Sequence, residues 1–293
     1  DVLGSRGLGD VYKRQEMNLE WRDKTESGFE YNVGVNMSTI RNRMTKLNGG
    51  TPISDGPFRN GSMYLTYTNE GMPIGAFWGY KTDGLIQTQE QLNAVKRADF
   101  QPNAELGDVL FVDTNGDGKL DSSDRCMIGN PIPDIIYGIN MGMAWKGFDL
   151  NLQFGGTIGN QIFNAMRYYT YFPNDITNKD RALMNYWTPN NTNTDIPRLT
   201  ATDVNDNDRF SDMYVENGTY FRLRNAQLGY TLPASLTQRI KLQKVRFYVS
   251  GQNLFTISSY SGMDPEVGQS SSLSRGIDYG IYPQNISFTG GIN

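Results

Sequence analysis

Two neighbouring segments in which large apolar residues alternate with small or polar ones constrain the fold of this chain most strongly. They cover residues 137–145 and 148–154 and are separated only by Lys146 and Gly147. Their large apolar members are Tyr137, Ile139, Met141, Met143, Trp145, Phe148, Leu150, Leu152 and Phe154. Alternation with a period of two is typical of β-strands, so the pair predicts a β-hairpin. Because one face is large and aromatic and the other is polar, we expect a sheet that meets lipid on one side and water on the other.

The same alternation recurs along the chain, in residues 29–37, 226–232, 245–249 and 286–292. Phe221 and Leu223 have the opposite phase to residues 226–232, which predicts a bulge or a strand leaving the membrane. Short connections, such as residues 146–147, alternate with long polar ones at residues 188–212 and 258–284. The predicted fold class is therefore all-β, with antiparallel transmembrane strands that form part of a β-barrel, and with long extracellular loops. Short helices are expected at residues 88–97 and 179–187, and a helical turn at residues 235–240.

Composition excludes several classes of function. The net charge is −4 and there is no Lys/Arg cluster, which argues against a nucleic-acid partner. The chain has no histidine and one cysteine, Cys126, so it cannot build a Ser-His-Asp or Cys-His site, a His-ligated zinc site or an internal disulfide. No apolar run reaches the roughly 18 residues of a spanning helix. We predict that the protein is not an enzyme and identify no catalytic residue.

An acidic loop at residues 113–124 has the ligand spacing of an EF-hand loop. Oxygen-bearing residues stand at positions 1, 3, 5, 7, 9 and 12, with Gly118 at the turn position. The candidate ligands are Asp113, Asn115, Asp117, Lys119 through its carbonyl, Asp121 and Asp124. Aspartate at position 12 is shorter than the usual glutamate, which should weaken binding. We predict a structural Ca²⁺ ion that rigidifies the loop; the alternative is an Asx-turn loop that simply favours Asp, Asn and Gly.

Aromatic clusters at residues 77–80, 168–172 and 186–187 allow three interpretations. They are predicted to form interfacial girdles at the membrane surface, with sugar stacking and ordinary packing among loops as the alternatives. Residues 1–15 show neither strand alternation nor a helical stripe. They resemble a translated adapter tail, and we expect them to be non-native and poorly ordered or packed at random.

Several motifs, in order along the chain, resemble those of the SusC/RagA-type TonB-linked outer-membrane proteins. They lie at residues 107–121, 124–125, 128–131, 133–134, 137–138, 147–150, 217–225, 228–233 and 249–255. The resemblance implies that residues 16–293 are the C-terminal part of the β-barrel of a TonB-dependent receptor. It also implies a location in the Gram-negative outer membrane and import of oligosaccharides or peptides. The implied partners are a SusD-like lipoprotein lid and TonB, the latter through an N-terminal part that would lie upstream with the plug.

A second interpretation is a secreted or surface-exposed, calcium-stabilised all-β protein that binds glycans. The two interpretations differ in what covers the apolar face. A soluble sandwich buries that face against a second sheet, whereas a barrel turns it toward lipid.

Overall fold

The computed structural model describes residues 9–171, 178–268 and 271–293. The strands of these residues are β1 (Gly9–Lys24), β2 (Glu30–Lys46), β3 (Ile53–Phe58), β4 (Met63–Thr68), β5 (Ala76–Gly79), β6 (Thr82–Leu85), β7 (Val109–Phe111), β8 (Cys126–Gly129), β9 (Ile135–Trp145), β10 (Phe148–Ile158), β11 (Gln161–Asn164), β12 (Val215–Asn217), β13 (Tyr220–Thr231), β14 (Arg246–Ser258), β15 (Ile277–Asp278) and β16 (Ser287–Ile292). The α-helices are α1 (Gln89–Arg97), α2 (Ala165–Tyr171) and α3 (Ala234–Thr237). Short 3₁₀ segments lie at Asn48–Gly50, Ser122–Asp124, Arg181–Asn185, Asp212–Tyr214 and Gln238–Ile240.

The long strands form one seven-stranded antiparallel sheet in the order β1-β2-β9-β10-β13-β14-β16. The predicted hairpin is β9–β10, and Trp145 lies directly opposite Phe148. Lys146 and Gly147 have φ angles of 47° and 87°, as a two-residue type I′ turn requires. Glycine takes this conformation without a Cβ penalty, which explains why the turn closes tightly. The hairpin prediction is confirmed.

The phase switch near residue 224 is a β-bulge. The register of β13 shifts between Leu223 and Asn225 against β14, and the facing shift on β10 lies between Gln153 and Phe154. The extra residue, Arg224, restores the alternation so that apolar residues on both sides of the bulge share one face. The bulge that the sequence predicted is therefore confirmed.

Residues 9–15 differ from the expectation of disorder or random packing. They belong to β1 and continue its pairing with β2, for example Lys13 with Arg41 and Gln15 with Thr39. Backbone pairing with the long strand β2 does not depend on side-chain alternation, so the sequence pattern gave no sign of it. Residues 1–8 lie outside the described residues, and the non-native origin of residues 1–15 stays a prediction.

The connections of the large sheet alternate between short and long. At one end, β1–β2 and β9–β10 are joined by short turns, and β13–β14 by residues 232–245, which contain α3 and the expected helical turn. At the other end lie three insertions, which we call insertion 1 (residues 47–134), insertion 2 (159–219) and insertion 3 (259–286). This asymmetry matches the short turns and long extracellular loops predicted for a membrane barrel.

The three insertions pack together into one extracellular domain built on smaller sheets. Their strand orders are β3-β4-β5-β8, β6-β7 and β12-β11-β15. One buried cluster draws on all three insertions, and its members are Phe58, Leu65, Phe77, Phe163, Ala165, Tyr168, Phe210, Tyr214 and Ile277. The aromatic rings meet mostly edge to face, with centroids 5.0 Å apart for Phe163 and Phe210.

The aromatic clusters of the sequence therefore lie in this domain core and not at the membrane surface. Phe77, Tyr168 and Trp187 are 0%, 2% and 6% exposed, so the girdle interpretation of these clusters is wrong. Packing among loops, which was an alternative, is what the structure shows. Sequence could not separate the two because both place aromatic residues in clusters between strands. Phe172 lies outside the described residues.

The helix predictions are partly confirmed. Helix α1 begins after Thr88, whose hydroxyl accepts a hydrogen bond from the Gln91 backbone N–H in a capping box. The helix expected at residues 179–187 is only a 3₁₀ segment, Arg181–Asn185, capped by Asp180. Helix α2 was not predicted, because its sequence is aromatic and follows the short strand β11 without a clear break.

Candidate functional site in a two-faced sheet

The apolar side chains of the seven-stranded sheet share one face, which we call the apolar face. Strand pairing places them in rows that cross the sheet. One such row is Trp21, Val33, Met141, Leu152, Ala226, Gly251 and Phe288. Trp21, Val249 and Ile257 are 61–64% exposed, so within the described residues no second sheet covers this face as it would in a soluble sandwich.

Two aromatic belts bound the apolar face. Near the short turns, Trp145, Phe148, Tyr230 and Phe247 lie side by side on β9, β10, β13 and β14, and the rings of Phe148 and Tyr230 are 4.5 Å apart. Near the insertions, Phe221 stacks on Phe154 at 5.1 Å. From Trp145 to Tyr137 the strand β9 runs about 27 Å, which at a tilt of about 40° is roughly 20 Å of height. This is close to the roughly 25 Å apolar band of an outer-membrane barrel.

The opposite face, which we call the polar face, carries amides, hydroxyls, charges and glycines. One row across it is Glu20, Gly34, Asn140, Gln153, Asn225, Gln252 and Ser287. In a closed barrel this face lines the lumen, where amide and hydroxyl groups can bind water or a polar solute. The strict separation of the two faces is what the alternating sequence predicted.

An ion pair on the polar face joins two strands across a third. Arg246 on β14 donates two hydrogen bonds to Asp149 on β10, of 2.9 Å from Nε and 2.5 Å from Nη2. Its side chain lies over Gly229 on β13, where an added Cβ would stand 2.3 Å from Nη2. The missing side chain at Gly229 therefore permits this bidentate contact.

A second charged group fastens insertion 3 to the sheet. Arg222 on β13 is 2% exposed and donates hydrogen bonds to Thr256, Asp264 and Glu266, of which the Asp264 contact is 2.5 Å. Burial raises the pKa of Asp264, but hydrogen bonds from the Gln284 and Glu266 backbone N–H groups and the contact with Arg222 outweigh it, so this pKa is lowered overall. Sequence reasoning missed this group and the Asp149–Arg246 pair. Charged residues inside alternating strands, such as Arg222 and Arg246, were the available signal.

The acidic loop forms a set of Asx turns that precede β8. The Asp113 carboxylate accepts hydrogen bonds from the Gly116 and Gly118 backbone N–H groups at 2.7 and 2.9 Å, and these bonds lower its pKa. The Asn115 side-chain oxygen accepts from the Asp117 N–H, and Asp117 in turn accepts from the Lys119 N–H. Each carboxylate or amide thus orders the backbone two to five residues ahead.

Hydrogen bonds connect the end of the same loop to its start. Asp121 accepts hydrogen bonds from the Ser123 N–H and hydroxyl, which lower the pKa of Asp121. Asp124 is fully buried and accepts from the Thr114 and Asp121 N–H groups, each at 3.0 Å. Among the described residues, no group of three or more His, Cys, Asp or Glu side chains converges in a way that could hold a metal ion. In this conformation the carboxylates of the loop accept hydrogen bonds from the backbone.

A sheet that is apolar and ringed by aromatic belts on one side, and polar on the other, is the wall of an outer-membrane β-barrel. Both of its edges, β1 and β16, have no further partner strand among the described residues, as in part of a barrel. Within the same residues, no helix combines the length and the apolar character that crossing a membrane requires.

Comparisons with known proteins extend this class to a family. No family model matches the chain. The chain is 36% identical to TonB-dependent receptor P3 of Formosa agariphila over 293 aligned residues, which cover 96% of this chain and 28% of the relative. It is 26% identical over 279 residues to TonB-dependent receptor SusC of Bacteroides thetaiotaomicron, covering 95% of this chain and 26% of the relative. Among solved structures, the RagAB peptide transporter shares the fold with a TM-score of 0.73 and 23% identity, covering 97% of this chain and 29% of that one.

The chain belongs to the TonB-dependent receptors of the SusC/RagA family and lies in the Gram-negative outer membrane. It spans a little over a quarter of the length of the curated relatives it matches. The resemblance found in the sequence motifs is thereby confirmed.

Proposed function

We propose that this chain forms part of the wall of an outer-membrane importer that takes up oligosaccharides or peptides at the expense of TonB-supplied energy. The observation that carries the proposal is the continuous polar face, which crosses the membrane-spanning sheet from the short turns to the insertions. Amides, hydroxyls and paired charges such as Asp149 and Arg246 suit the passage of a polar solute. Passage without chemical conversion of the solute is part of the same proposal.

The proposed partners act at opposite ends of the barrel. A SusD-like lipoprotein would sit as a lid on the extracellular domain formed by the three insertions. TonB would act through parts of the receptor that this chain does not contain. Support for both comes from the family, since the relatives are named TonB-dependent receptors and one solved relative is a peptide transporter.

Uptake measurements test the importer proposal. Cells expressing the complete receptor that contains this chain would be offered labelled oligosaccharides and labelled oligopeptides, with TonB present or deleted. We expect one of the two solute classes to accumulate, and accumulation to stop without TonB. Asn225→Trp on the polar face should reduce uptake, whereas Leu228→Trp on the apolar face is the matched control and should not. Uptake that does not depend on TonB, or that both variants leave unchanged, would contradict the proposal.

Calcium binding by the acidic loop is a separate proposal. It rests on the spacing of Asp113, Asn115, Asp117, Lys119, Asp121 and Asp124, while the Asx turns described above support the alternative. Isothermal titration of Ca²⁺ into the receptor should give heat that is lost in the double variant Asp113→Asn/Asp117→Asn and kept in Asp99→Asn. The absence of heat at millimolar Ca²⁺ would leave the loop as an Asx-turn structure.

A further inference from the structure

A furrow crosses the apolar face between β13, β14 and β16. It consists of two adjoining shallow cavities of about 500 and 370 Å³, which share Leu228, Val249 and Gly290 in their linings. The furrow begins at the aromatic belt near the short turns, at Phe247, and reaches Phe288 opposite Gly251. Along β14 this is four residues, or about 13 Å. One leaflet of a roughly 30 Å hydrocarbon core is about this deep.

Small residues create the furrow. Ala226 and Gly290 occupy apolar-face positions where neighbouring positions carry Leu, Val or Phe. The space at Gly251 is filled by Leu254, whose Cδ2 atom would stand 2.7 Å from an added Cβ. A Cβ added at Gly290 would meet nothing closer than the Tyr248 carbonyl oxygen at 3.7 Å, so there is free space above this glycine. The groove is therefore lined by hydrocarbon and open toward the surroundings of the barrel wall.

The connection directly below the furrow is basic. Residues 232–245 join β13 to β14, and Arg239, Lys241 and Lys244 are all exposed. No Asp or Glu occurs anywhere in residues 230–249. Leu236 and Leu242 in the same connection are 50% and 48% exposed. The expectation that the chain has no Lys/Arg cluster overlooked this local group, because the net charge of the whole chain is negative.

We propose that the furrow and the basic connection form a binding site for an anionic phospholipid of the periplasmic leaflet. One acyl chain lies in the furrow, and the phosphate of the headgroup lies against Arg239, Lys241 and Lys244. The exposed leucines of the connection enter the headgroup layer beside it. Charge complementarity favours an anionic lipid, since basic residues near a membrane surface attract anionic headgroups. The inference rests on the barrel placement in the proposed function and is independent of which solute is imported.

Native mass spectrometry of the complete receptor, purified in mild detergent, tests the site. The probes are dioleoylphosphatidylglycerol and dioleoylphosphatidylcholine, which share acyl chains and differ in headgroup charge. We expect the phosphatidylglycerol adduct to be retained on the order of a hundredfold more than the phosphatidylcholine adduct, since each of the three basic residues adds roughly fivefold. Combining Arg239→Gln, Lys241→Gln and Lys244→Gln should remove this preference. Gly290→Leu, which fills the furrow, should reduce retention of both lipids.

Matched controls separate the site from general effects of charge and packing. Lys81→Gln, Lys96→Gln and Arg97→Gln remove the same charges from the extracellular domain and should leave lipid retention unchanged. Gly34→Leu adds the same side chain at an open glycine on the polar face and should also leave it unchanged. Equal retention of the two lipids by the unmodified receptor would overturn the proposal. A mass that corresponds to a second protein chain bound in place of lipid would also overturn it. Solute uptake measured on the same variants should stay TonB-dependent, so that failure of the lipid site and failure of the importer proposal can be distinguished.

Discussion

At the residue scale, charged side chains in this sheet are held by specific partners. Arg246 reaches Asp149 only because Gly229 leaves room, and Arg222 is enclosed by Thr256, Asp264 and Glu266. The sequence placed both arginines on strands. It could not show their partners, because Asp264 is 42 residues away from Arg222 along the chain and lies in a connection without regular structure.

The buried pair of Arg222 and Asp264 should control how firmly insertion 3 is attached. Both side chains are less than 5% exposed, and Arg222→Ala leaves a buried carboxylate without its cation, at a cost of about 3–5 kcal/mol. We expect faster proteolysis of residues 259–286 in this variant. Arg224→Ala is the control, since its ion pair with Glu266 is about 40% exposed and contributes about 0–1 kcal/mol. Equal proteolysis of the two variants would show that the Arg222 pair is not an anchor.

Lowering the pH should weaken the attachment of insertion 3 to the sheet. The pKa of Asp264 is lowered in the folded protein, so its carboxylate stabilises the fold fully above the unfolded pKa of about 4. This contribution is lost as the pH falls below that value and through the folded pKa. The hydrogen-exchange protection factors of insertion 3, in which the intrinsic slowing of exchange in acid is divided out, should fall between pH 6 and pH 3. The variant Asp264→Asn should exchange faster at pH 6 and show a weaker dependence; an unchanged pH profile would argue against the role of Asp264.

At the element scale, period-two alternation predicted the hairpin β9–β10, strand β2 and the bulge in β13. Strands of the extracellular domain escaped prediction because they are short, with two to six residues each. Ala76–Gly79 has no polar residue to reveal a period, and three of its four residues are buried. A four-residue apolar run cannot be distinguished from a helix or a loop by its pattern alone.

Adjacent positions on β10 should respond oppositely to the same substitution. Leu152 lies on the apolar face between the aromatic belts, and Gln153 lies on the polar face. Leu152→Arg places a charge in hydrocarbon and should destabilise the receptor by about 2–4 kcal/mol, whereas Gln153→Arg meets water and should cost little. Urea unfolding of the receptor in lipid vesicles measures both. A greater loss with Gln153→Arg would mean that the two faces have been assigned the wrong way round.

At the scale of the whole molecule, the membrane sheet meets the extracellular domain in one small buried cluster, Met44, Leu47 and Ile74, while the largest core cluster belongs to the domain alone. The sheet was predictable because its two faces repeat every second residue. The domain was not, because Phe58, Phe163 and Ile277 come from three separate insertions and meet only in the folded chain. The acidic loop was recognised by its spacing, which does not show the hydrogen bonds that its side chains accept from the backbone; its calcium binding stays a prediction.

The extracellular domain should therefore unfold without loss of the membrane sheet. Phe77 is fully buried in the shared core, and Phe77→Ala should destabilise the domain by about 3–5 kcal/mol. Trypsin should then cut within the insertions while the strands of the sheet stay protected in the membrane. Met184→Ala is the control, because Met184 is 80% exposed. Cleavage within the strands after Phe77→Ala would show that the two parts depend on each other for stability.

The shared core of the three insertions also sets an order of events during biogenesis. Phe58 and Phe77 are synthesised early, but Ile277, which completes their cluster, comes 200 or more residues later. Insertion 1 must therefore remain on the extracellular side of the membrane, with aromatic rings that Ile277 does not yet cover, until the final strands have crossed. The extracellular domain thus folds late and cooperatively. A barrel whose assembly has stalled would expose an apolar, protease-accessible surface that quality-control factors can recognise.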